Sequence, residues 1–169
     1  HQYQEVTNLQ LRTRLRQSIY DQNPSFHGIE SFTFYPGQTI LDLGCGAGFS
    51  TPRLLQRASA STRVVALDLS PNMVKENAKV CRTHCREIFP VAGDAHHLPF
   101  AAASFDVVFS QYVFYHLDLA RALPEILRVL KPYGTLITIT MGQNCLDELM
   151  TFTRSLLPES YHHALHERI

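Results

Sequence analysis

The feature that most constrains the fold is a glycine-rich stretch directly behind a short apolar run. Residues 41–50 read LDLGCGAGFS, with glycines at 44, 46 and 48 and one acid at 42. A buried strand followed by a glycine-rich turn and a helix is typical of a βα unit that binds a nucleotide-like ligand. The stretch therefore favours an α/β fold with a ligand site at the carboxyl end of this strand.

Apolar runs alternate with amphipathic segments along the rest of the chain. The predicted strands cover residues 39–44, 63–68, 87–94, 105–110 and 135–140. The predicted helices cover residues 47–58, a segment that begins at Ser70 and Pro71, and residues 118–130 and 145–157. This alternation predicts a Rossmann-like, doubly wound α/β fold, with a parallel sheet and helices on both faces.

The third predicted strand indicates the strand order. Pro90 lacks the N–H that a central strand needs, so this strand should lie at an edge. With right-handed crossovers, the order 3-2-1-4-5 is favoured. A ligand crevice should then open between strands one and four, where the order reverses. Pro124 is expected to kink its helix or delay its start, and residues 131–134 to form a turn.

Composition limits the classes of partner and compartment. The 169 residues predict a single domain, 1–169, with an N-terminal helix at about 5–20 and a core at about 36–157. Lys and Arg together number 15, as do Asp and Glu, so the formal net charge is zero. Because no net positive field attracts nucleic acid, nucleic acid is not expected as a partner. No apolar run reaches membrane-spanning length. The four cysteines are interpreted as free thiols in the cytoplasm, and the oligomeric state is left open.

The glycine spacing distinguishes between nucleotide-like ligands. A dinucleotide turn needs a third glycine where this chain has Phe49. Asp42 would place a carboxylate near a pyrophosphate, which is unfavourable at low dielectric, whereas it suits a cationic ligand such as S-adenosylmethionine. Asp68 ends the second strand, where a carboxylate accepts hydrogen bonds from ribose hydroxyls. Asp94 follows the third strand, where it could accept from the exocyclic amine of a base.

Four motifs in order carry a family resemblance: ILDLGCGAG, VVALDLSPNMVKENAK, VAGDAHHLPFAAASFDVVFS and EILRVLKPYGTLITIT. Over residues 39–140 the chain resembles the class I S-adenosylmethionine-dependent methyltransferases. The resemblance is to their small-molecule branch, which includes the ubiquinone and menaquinone biosynthesis type (methyltransferase type 11). It implies S-adenosylmethionine as the cofactor and a small-molecule methyl acceptor.

The resemblance also implies roles for individual residues. The methionine end of the cofactor would be held by Asp42, Gly44, Cys45, Gly46 and Gly48. The adenosine end would be held by Asp68 at the ribose, by Leu69 and Met73 on the adenine face, and by Asp94 and the Ala95 backbone at its edge. Ser110 and Gln111 would lie near the amino-acid part or the transferred methyl group. The family fold closes with a sixth and an antiparallel seventh strand, which we do not find here, so we expect a truncated C-terminus.

Residues 111–117, QYVFYHL, follow the fourth strand beside the predicted crevice. Tyr112, Tyr115 and His116 are interpreted as a wall for an apolar or aromatic acceptor, with Tyr112 and His116 as candidate catalytic residues. The alternative is that Phe114 and Leu117 seal the core while His116 orients the loop. Transfer from a sulfonium mainly requires alignment of the reactants, so a base is expected only if the acceptor must lose a proton.

Other functions remain as alternatives. A non-catalytic module of the same fold would bind the cofactor or a partner, and an NAD(P)-dependent oxidoreductase would need the dinucleotide turn that Phe49 and Asp42 disfavour. The cysteines and histidine of CRTHC, residues 81–85, invite a metal interpretation. Cys81 and Cys85 continue a helical stripe begun by Val74 and Ala78, which favours core packing, so no metal is expected. His96 and His97 are expected to lie in a solvated loop.

Overall fold

The structure, a computed structural model, describes residues 28–82 and 88–140. The predicted N-terminal helix, the helix predicted at 145–157 and residues 83–87 of the CRTHC segment lie outside this range. The chain divides into two compact units, His1–Ile139 and Thr140–Ile169, and Thr140 is the one described residue of the second. The fold below is therefore that of the first unit.

Strands and helices alternate as the sequence predicts. The strands are β1 (Thr39–Leu43), β2 (Arg63–Asp68), β3 (Phe89–Ala92), β4 (Phe105–Gln111) and β5 (Leu130–Ile139). The helices are α1 (Thr51–Arg57), α2 (Pro71–Arg82) and α3 (Leu119–Val129), with 3-10 turns at Ile29–Ser31 and Phe114–His116. The strands form one parallel sheet in the order β3-β2-β1-β4-β5. The predicted fold class and strand order are confirmed, including the edge position of β3 with Pro90.

The central strand β1 packs against helices on both faces of the sheet. Leu41 and Leu43 point to one face, where they join the buried side chains of α3. Ile40 points to the other face and packs with Leu54 and Leu55 of α1. Because side chains alternate along a strand, Asp42 lies on the same face as Ile40, toward α1 and α2. This alternation decides which side of the sheet receives the acid of the glycine motif.

The start of α1 differs from the prediction. The helix was expected from residue 47, but it begins at Thr51. Gly46 and Gly48 have φ of +54° and +96°, which a right-handed helix excludes, so the turn occupies these residues. Pro52 in the first turn of the helix needs no N–H partner and helps to start the helix there.

In the second half of the domain, the delayed helix start at Pro124 and the turn at residues 131–134 are wrong, whereas the kink at Pro124 stays a prediction. The helix α3 begins at Leu119 and includes Pro124, so the proline does not delay its start, and Asp118 caps it by accepting from the Ala120 N–H at 3.1 Å. The turn expected at 131–134 lies inside β5 as an irregularity. Leu130 pairs with Phe105 and Thr135 with Val107, so the residues between them bulge outward from the ladder.

Candidate functional site

The glycine turn after β1 is attached to the end of the neighbouring strand. The N–H groups of Gly44 and Cys45 both donate to the Leu67 carbonyl of β2, at 2.8 and 2.9 Å. All three glycines of the turn have positive φ, which side chains disfavour. The turn therefore lies across the carboxyl ends of β1 and β2, at the edge of the sheet where the ligand crevice is predicted.

The three glycines differ in what surrounds them. A Cβ on Gly44 would clash with the Val113 side chain, and one on Gly48 would lie 3.2 Å from the Cβ of Val80 in α2. A Cβ on Gly46 would meet nothing within 4 Å. Gly44 and Gly48 therefore allow close packing, whereas Gly46 leaves the backbone open at the surface of the turn.

Asp68 joins the glycine turn to the turn after β2. One carboxylate oxygen accepts from the Gly46 N–H at 2.9 Å and the other from the Ser70 N–H at 2.9 Å. Burial raises the pKa of this half-buried carboxyl, while the two backbone donors oppose the rise. Each oxygen retains a lone pair for a further donor. Asp68 thus lies beside the open backbone of Gly46 and can accept hydrogen bonds there.

Asp42 lies beneath the turn and is fully buried. Its carboxylate accepts from the Ser50 hydroxyl at 2.9 Å and from the Thr51 hydroxyl at 2.5 Å. Burial raises the pKa of Asp42 to about 6, with the two hydroxyls opposing the rise. The acid of the glycine motif therefore contacts the start of α1, and protein atoms separate it from the crevice.

The raised pKa of Asp42 predicts a pH-dependent stability. Its folded value of about 6 lies above its ordinary 3.8, so the unfolded chain ionises first and stability falls as pH rises between these values. Relative to wild type, Asp42→Asn should therefore gain up to about 3 kcal/mol of unfolding free energy from pH 4 to pH 7. Urea unfolding at both pH values measures this difference.

Glu125 provides a control of opposite sign. A side-chain hydrogen bond from Arg128 lowers the pKa of Glu125 to about 2, so its stabilising effect is lost as pH falls. Glu125→Gln should lose stability relative to wild type as pH rises from about 2 to 4.5, and the difference should level off above that range. If the difference in unfolding free energy between Asp42→Asn and wild type does not change with pH, the raised pKa of Asp42 is contradicted.

Asp94 lies in a loop that is tied to α3. Its carboxylate accepts from the backbone N–H of His96 at 2.9 Å and from the His96 ring at 2.7 Å, and these bonds hold the pKa of Asp94 low. The other ring nitrogen of His96 accepts from the Asp118 N–H at 3.1 Å. His96, expected in a solvated loop, thus bridges two elements. The Leu98 N–H donates to Glu125 of α3 at 2.8 Å, so the loop is attached at two points.

The residues expected on the adenine differ in accessibility. Leu69 is 74% exposed directly after Asp68, whereas Met73 is 1% exposed and packs inside the protein. Ala95, beside Asp94, is also buried. Leu69 is therefore the apolar side chain of this group that offers a surface to a ligand.

The carboxyl end of β4 contributes a buried polar group. The Ser110 hydroxyl is buried and donates to the Leu43 carbonyl at 3.1 Å. The Gln111 Oε1 is buried without a hydrogen-bond partner among residues 28–82 and 88–140. A buried acceptor without a partner is unfavourable, so this oxygen calls for a donor that the described residues do not supply.

The aromatic segment begins with a strained residue. Tyr112 has φ of +62°, an uncommon conformation for a bulky side chain, and its N–H donates to the Ile139 carbonyl of β5 at 2.8 Å. Tyr115 and His116 follow in the 3-10 turn with ring centroids 4.3 Å apart, and both are exposed. The segment therefore presents aromatic and imidazole groups next to Gln111.

A family model described as a methyltransferase domain matches residues 41–138, from β1 to β5. The chain belongs to this family. The match includes the glycine turn, Asp68, Asp94 and the residues that follow β4.

Curated relatives and solved structures agree with this membership. Malonyl-[acyl-carrier protein] O-methyltransferase of Herminiimonas arsenicoxydans is 40% identical over 114 residues, 68% of this chain and 41% of that protein. Demethylmenaquinone methyltransferase of Thermobifida fusca is 39% identical over 61% of this chain and 43% of its own length. A SAM-dependent methyltransferase of Aquifex aeolicus superposes with a TM-score of 0.61 at 28% identity, over 66% of this chain and 61% of that one.

The chain spans about two fifths of the length of the curated relatives that it matches. In the methyltransferase domain described here, no helix is long and apolar enough to cross a membrane. Within the same residues no three His, Cys, Asp or Glu side chains group as metal ligands.

Sequence reasoning missed the polar layer under the turn of the methyltransferase domain. Ser50 and Thr51 bond Asp42, and Asn77 of α2 bonds Thr51 at 2.7 Å. The available signal was Asn77 itself, a polar residue on the helix face that carries Val74, Ala78 and Cys81. In the fold this face packs under the turn, and Asn77 is fully buried there.

Proposed function

We propose that this methyltransferase domain binds S-adenosylmethionine in the crevice over β1, β2 and β4 and transfers its methyl group to a small-molecule acceptor. One observation carries the proposal: the Asp68 carboxylate lies on the N–H of Gly46, whose backbone is open to the crevice. Asp68 could then hold the ribose hydroxyls of a nucleoside, while the Gly46 backbone lies beside an amino-acid chain attached to the same nucleoside.

The described residues fit the cofactor group by group. Asp68 would accept from the ribose hydroxyls, and the exposed Leu69 would pack on the adenine. Asp94 would accept from the adenine amine at the edge of the crevice. Gly46 and its neighbours in the turn would lie along the methionine part. The Gln111 Oε1, which has no partner among the described residues, would accept from its ammonium group. The remaining assigned positions support these groups from beneath or beside them: Asp42, Gly44, Cys45, Gly48, Met73, Ala95 and Ser110.

The charges near the crevice favour a cationic ligand. Asp68 and Asp94 are carboxylates at its rim, and Gln111 offers an oxygen without a donor. Such acceptors stabilise an ammonium or sulfonium group and repel a pyrophosphate. This supports S-adenosylmethionine over a nicotinamide dinucleotide.

The cofactor, when bound, supplies an electrophilic methyl group on a good leaving group. The protein residues then have to orient the two reactants and exclude water. Tyr112, Tyr115 and His116 would form the acceptor wall, because they follow Gln111 directly and two of them are exposed. His116 would take a proton only from an acceptor that must lose one.

The names of the relatives specify an acyl group on a carrier protein, malonyl-[acyl-carrier protein], and a quinone, demethylmenaquinone, as acceptors. For this chain we propose an apolar or acyl small-molecule acceptor, and no nucleic acid. The free, buried thiols of Cys45 and Cys81 support a reducing compartment, which we propose is the cytoplasm.

A calorimetric titration of the full chain with S-adenosylhomocysteine, the stable product, tests the proposal. Gly46→Ala should weaken binding at least about tenfold, because the new methyl group would fill the open side of the turn. Gly37→Ala is the matched control: its φ of +79° and its open surroundings resemble those of Gly46, but it precedes β1 at the opposite end of the strand.

Both variants should lose a similar unfolding free energy, about 1–2 kcal/mol, from the left-handed backbone alone. Binding should fall only in Gly46→Ala. Absence of binding by the wild type, or tighter binding of NADH than of S-adenosylhomocysteine, would overturn the proposal. Binding without methylation of any acyl or quinone acceptor would favour a non-catalytic module.

A further inference from the structure

Asn77 is a buried polar side chain on a helix face that otherwise packs the core. It lies in the middle of α2 with zero exposure. A buried amide is costly unless its donors and acceptor are all satisfied. The partners of Asn77 therefore indicate what the residue does.

Every polar atom of the Asn77 side chain is used. Its Nδ2 donates to the Thr51 hydroxyl at 2.7 Å and reaches the carbonyls of Cys45 and Gly46 at 3.2 and 3.4 Å. Its Oδ1 accepts from the Cys81 thiol at 3.2 Å. Because the Cys45 and Gly46 carbonyls can only accept hydrogen bonds, the amide nitrogen of Asn77 must face the glycine turn. Its oxygen then faces the Cys81 thiol, which donates to it.

These bonds orient two consecutive peptides of the turn. In a planar trans peptide the C=O and the following N–H point in opposite directions. The Cys45 carbonyl faces Asn77, and the N–H of that peptide, from Gly46, donates to Asp68 on the other side. The next peptide has the same geometry. Its C=O, from Gly46, faces Asn77, so its N–H, from Ala47, points away from α2.

The Ala47 N–H has no acceptor within residues 28–82 and 88–140. It belongs to a partly exposed residue beside the open backbone of Gly46. A backbone N–H presented this way is a donor for an anionic group, such as the carboxylate of an amino acid.

We propose that Asn77 is a positioning residue for the ligand turn. By holding the Cys45 and Gly46 carbonyls inward, it presents the Ala47 N–H to the carboxylate of an amino-acid-bearing nucleoside. The inference rests on the proposed function, since it assigns the residue that shapes the methionine end of the same crevice.

The test compares two ligands on the full chain by calorimetry. S-adenosylhomocysteine carries the amino-acid carboxylate, whereas methylthioadenosine lacks the amino-acid part. Asn77→Ala should weaken S-adenosylhomocysteine binding by about tenfold or more, as expected for a lost charge-assisted bond. Binding of methylthioadenosine should change less than about threefold, because the Ser70 N–H still holds Asp68.

Val74→Ala is the matched control, since Val74 is buried on the same helix and makes the core contacts of an aliphatic side chain. It should lower unfolding stability without changing the ratio of the two affinities. If Asn77→Ala does not fold, Asn77→Leu keeps a similar volume without the amide and should show the same selective loss.

Equal losses for both ligands, or unchanged binding of S-adenosylhomocysteine, would overturn the role of Asn77 and leave the proposed function standing. Failure of the wild type to bind either ligand would overturn the proposed function, and this inference with it.

Discussion

Replacing Asp68 with alanine is expected to weaken S-adenosylhomocysteine binding by about 100-fold or more. Hydrogen bonds to a charged group contribute about 1.5–3 kcal/mol each, and a ribose offers two hydroxyl donors. The substitution also removes the acceptor of the Gly46 N–H, which lies 2.9 Å from the carboxylate. The loss of ligand contacts and the loosening of the turn should therefore both lower the affinity for S-adenosylhomocysteine. Isothermal titration calorimetry of the full chain measures the effect.

Asp106→Ala is a control of the same chemistry at the other end of the sheet. Asp106, near the start of β4, accepts from the Thr39 N–H and from Lys131, each at 2.8 Å. Its loss should affect stability but leave affinity within about twofold of wild type. Asp68→Asn, which retains one oxygen, should bind with intermediate affinity. If Asp68→Ala binds as tightly as wild type, the ribose assignment is wrong.

Gly44→Ala should be the most destabilising single substitution in the turn, at about 3 kcal/mol or more. Its φ of +73° costs a side chain about 1–2 kcal/mol, and its Cβ would clash with the buried side of Val113. Val113 lies between Tyr112 and Tyr115, so relief of the clash would also displace the residues proposed to contact the acceptor. Chemical denaturation monitored by circular dichroism measures the loss of unfolding free energy.

Two variants separate the contributions at Gly44. Gly37→Ala carries a similar φ of +79° with no neighbour within 4 Å, so it reports the backbone cost alone. The double variant Gly44→Ala/Val113→Ala removes much of the clash. Its loss of unfolding free energy should therefore be smaller than the sum of the losses of the two single variants. Additive losses would show that Gly44 and Val113 do not compete for the same space.

The positions of the residues proposed to contact the ligand could be predicted because these residues follow strand ends. Asp68, Asp94 and Gln111 each come at or just after the carboxyl end of a strand, and parallel strands bring these ends to one edge. The strand order could be predicted because Pro90 restricts β3 to an edge and crossovers have one hand. Both arguments use only local sequence and general topology.

The environment of each site residue could not be predicted in the same way. Asp42 was expected near the ligand, and the structure places it under the turn with Ser50 and Thr51. His96 was expected in solvent, and it bridges Asp94 to Asp118. In each case the partner comes from another element, so spacing along the chain carries no information about it.

The sequence by itself determined the fold class, the strand order and the edge of the sheet where the site is proposed. It could do so because hydrophobic periodicity, turn residues and the handedness of crossovers are local properties of an L-amino-acid chain. Only the tertiary structure decided that Asn77 bonds the Cys45 and Gly46 carbonyls, and that Gly44 is closely packed while Gly46 remains open. It also decided that the Gln111 oxygen finds no hydrogen-bond partner in the described part of the chain. These properties depend on distances between segments distant in sequence, and close packing of the core sets those distances.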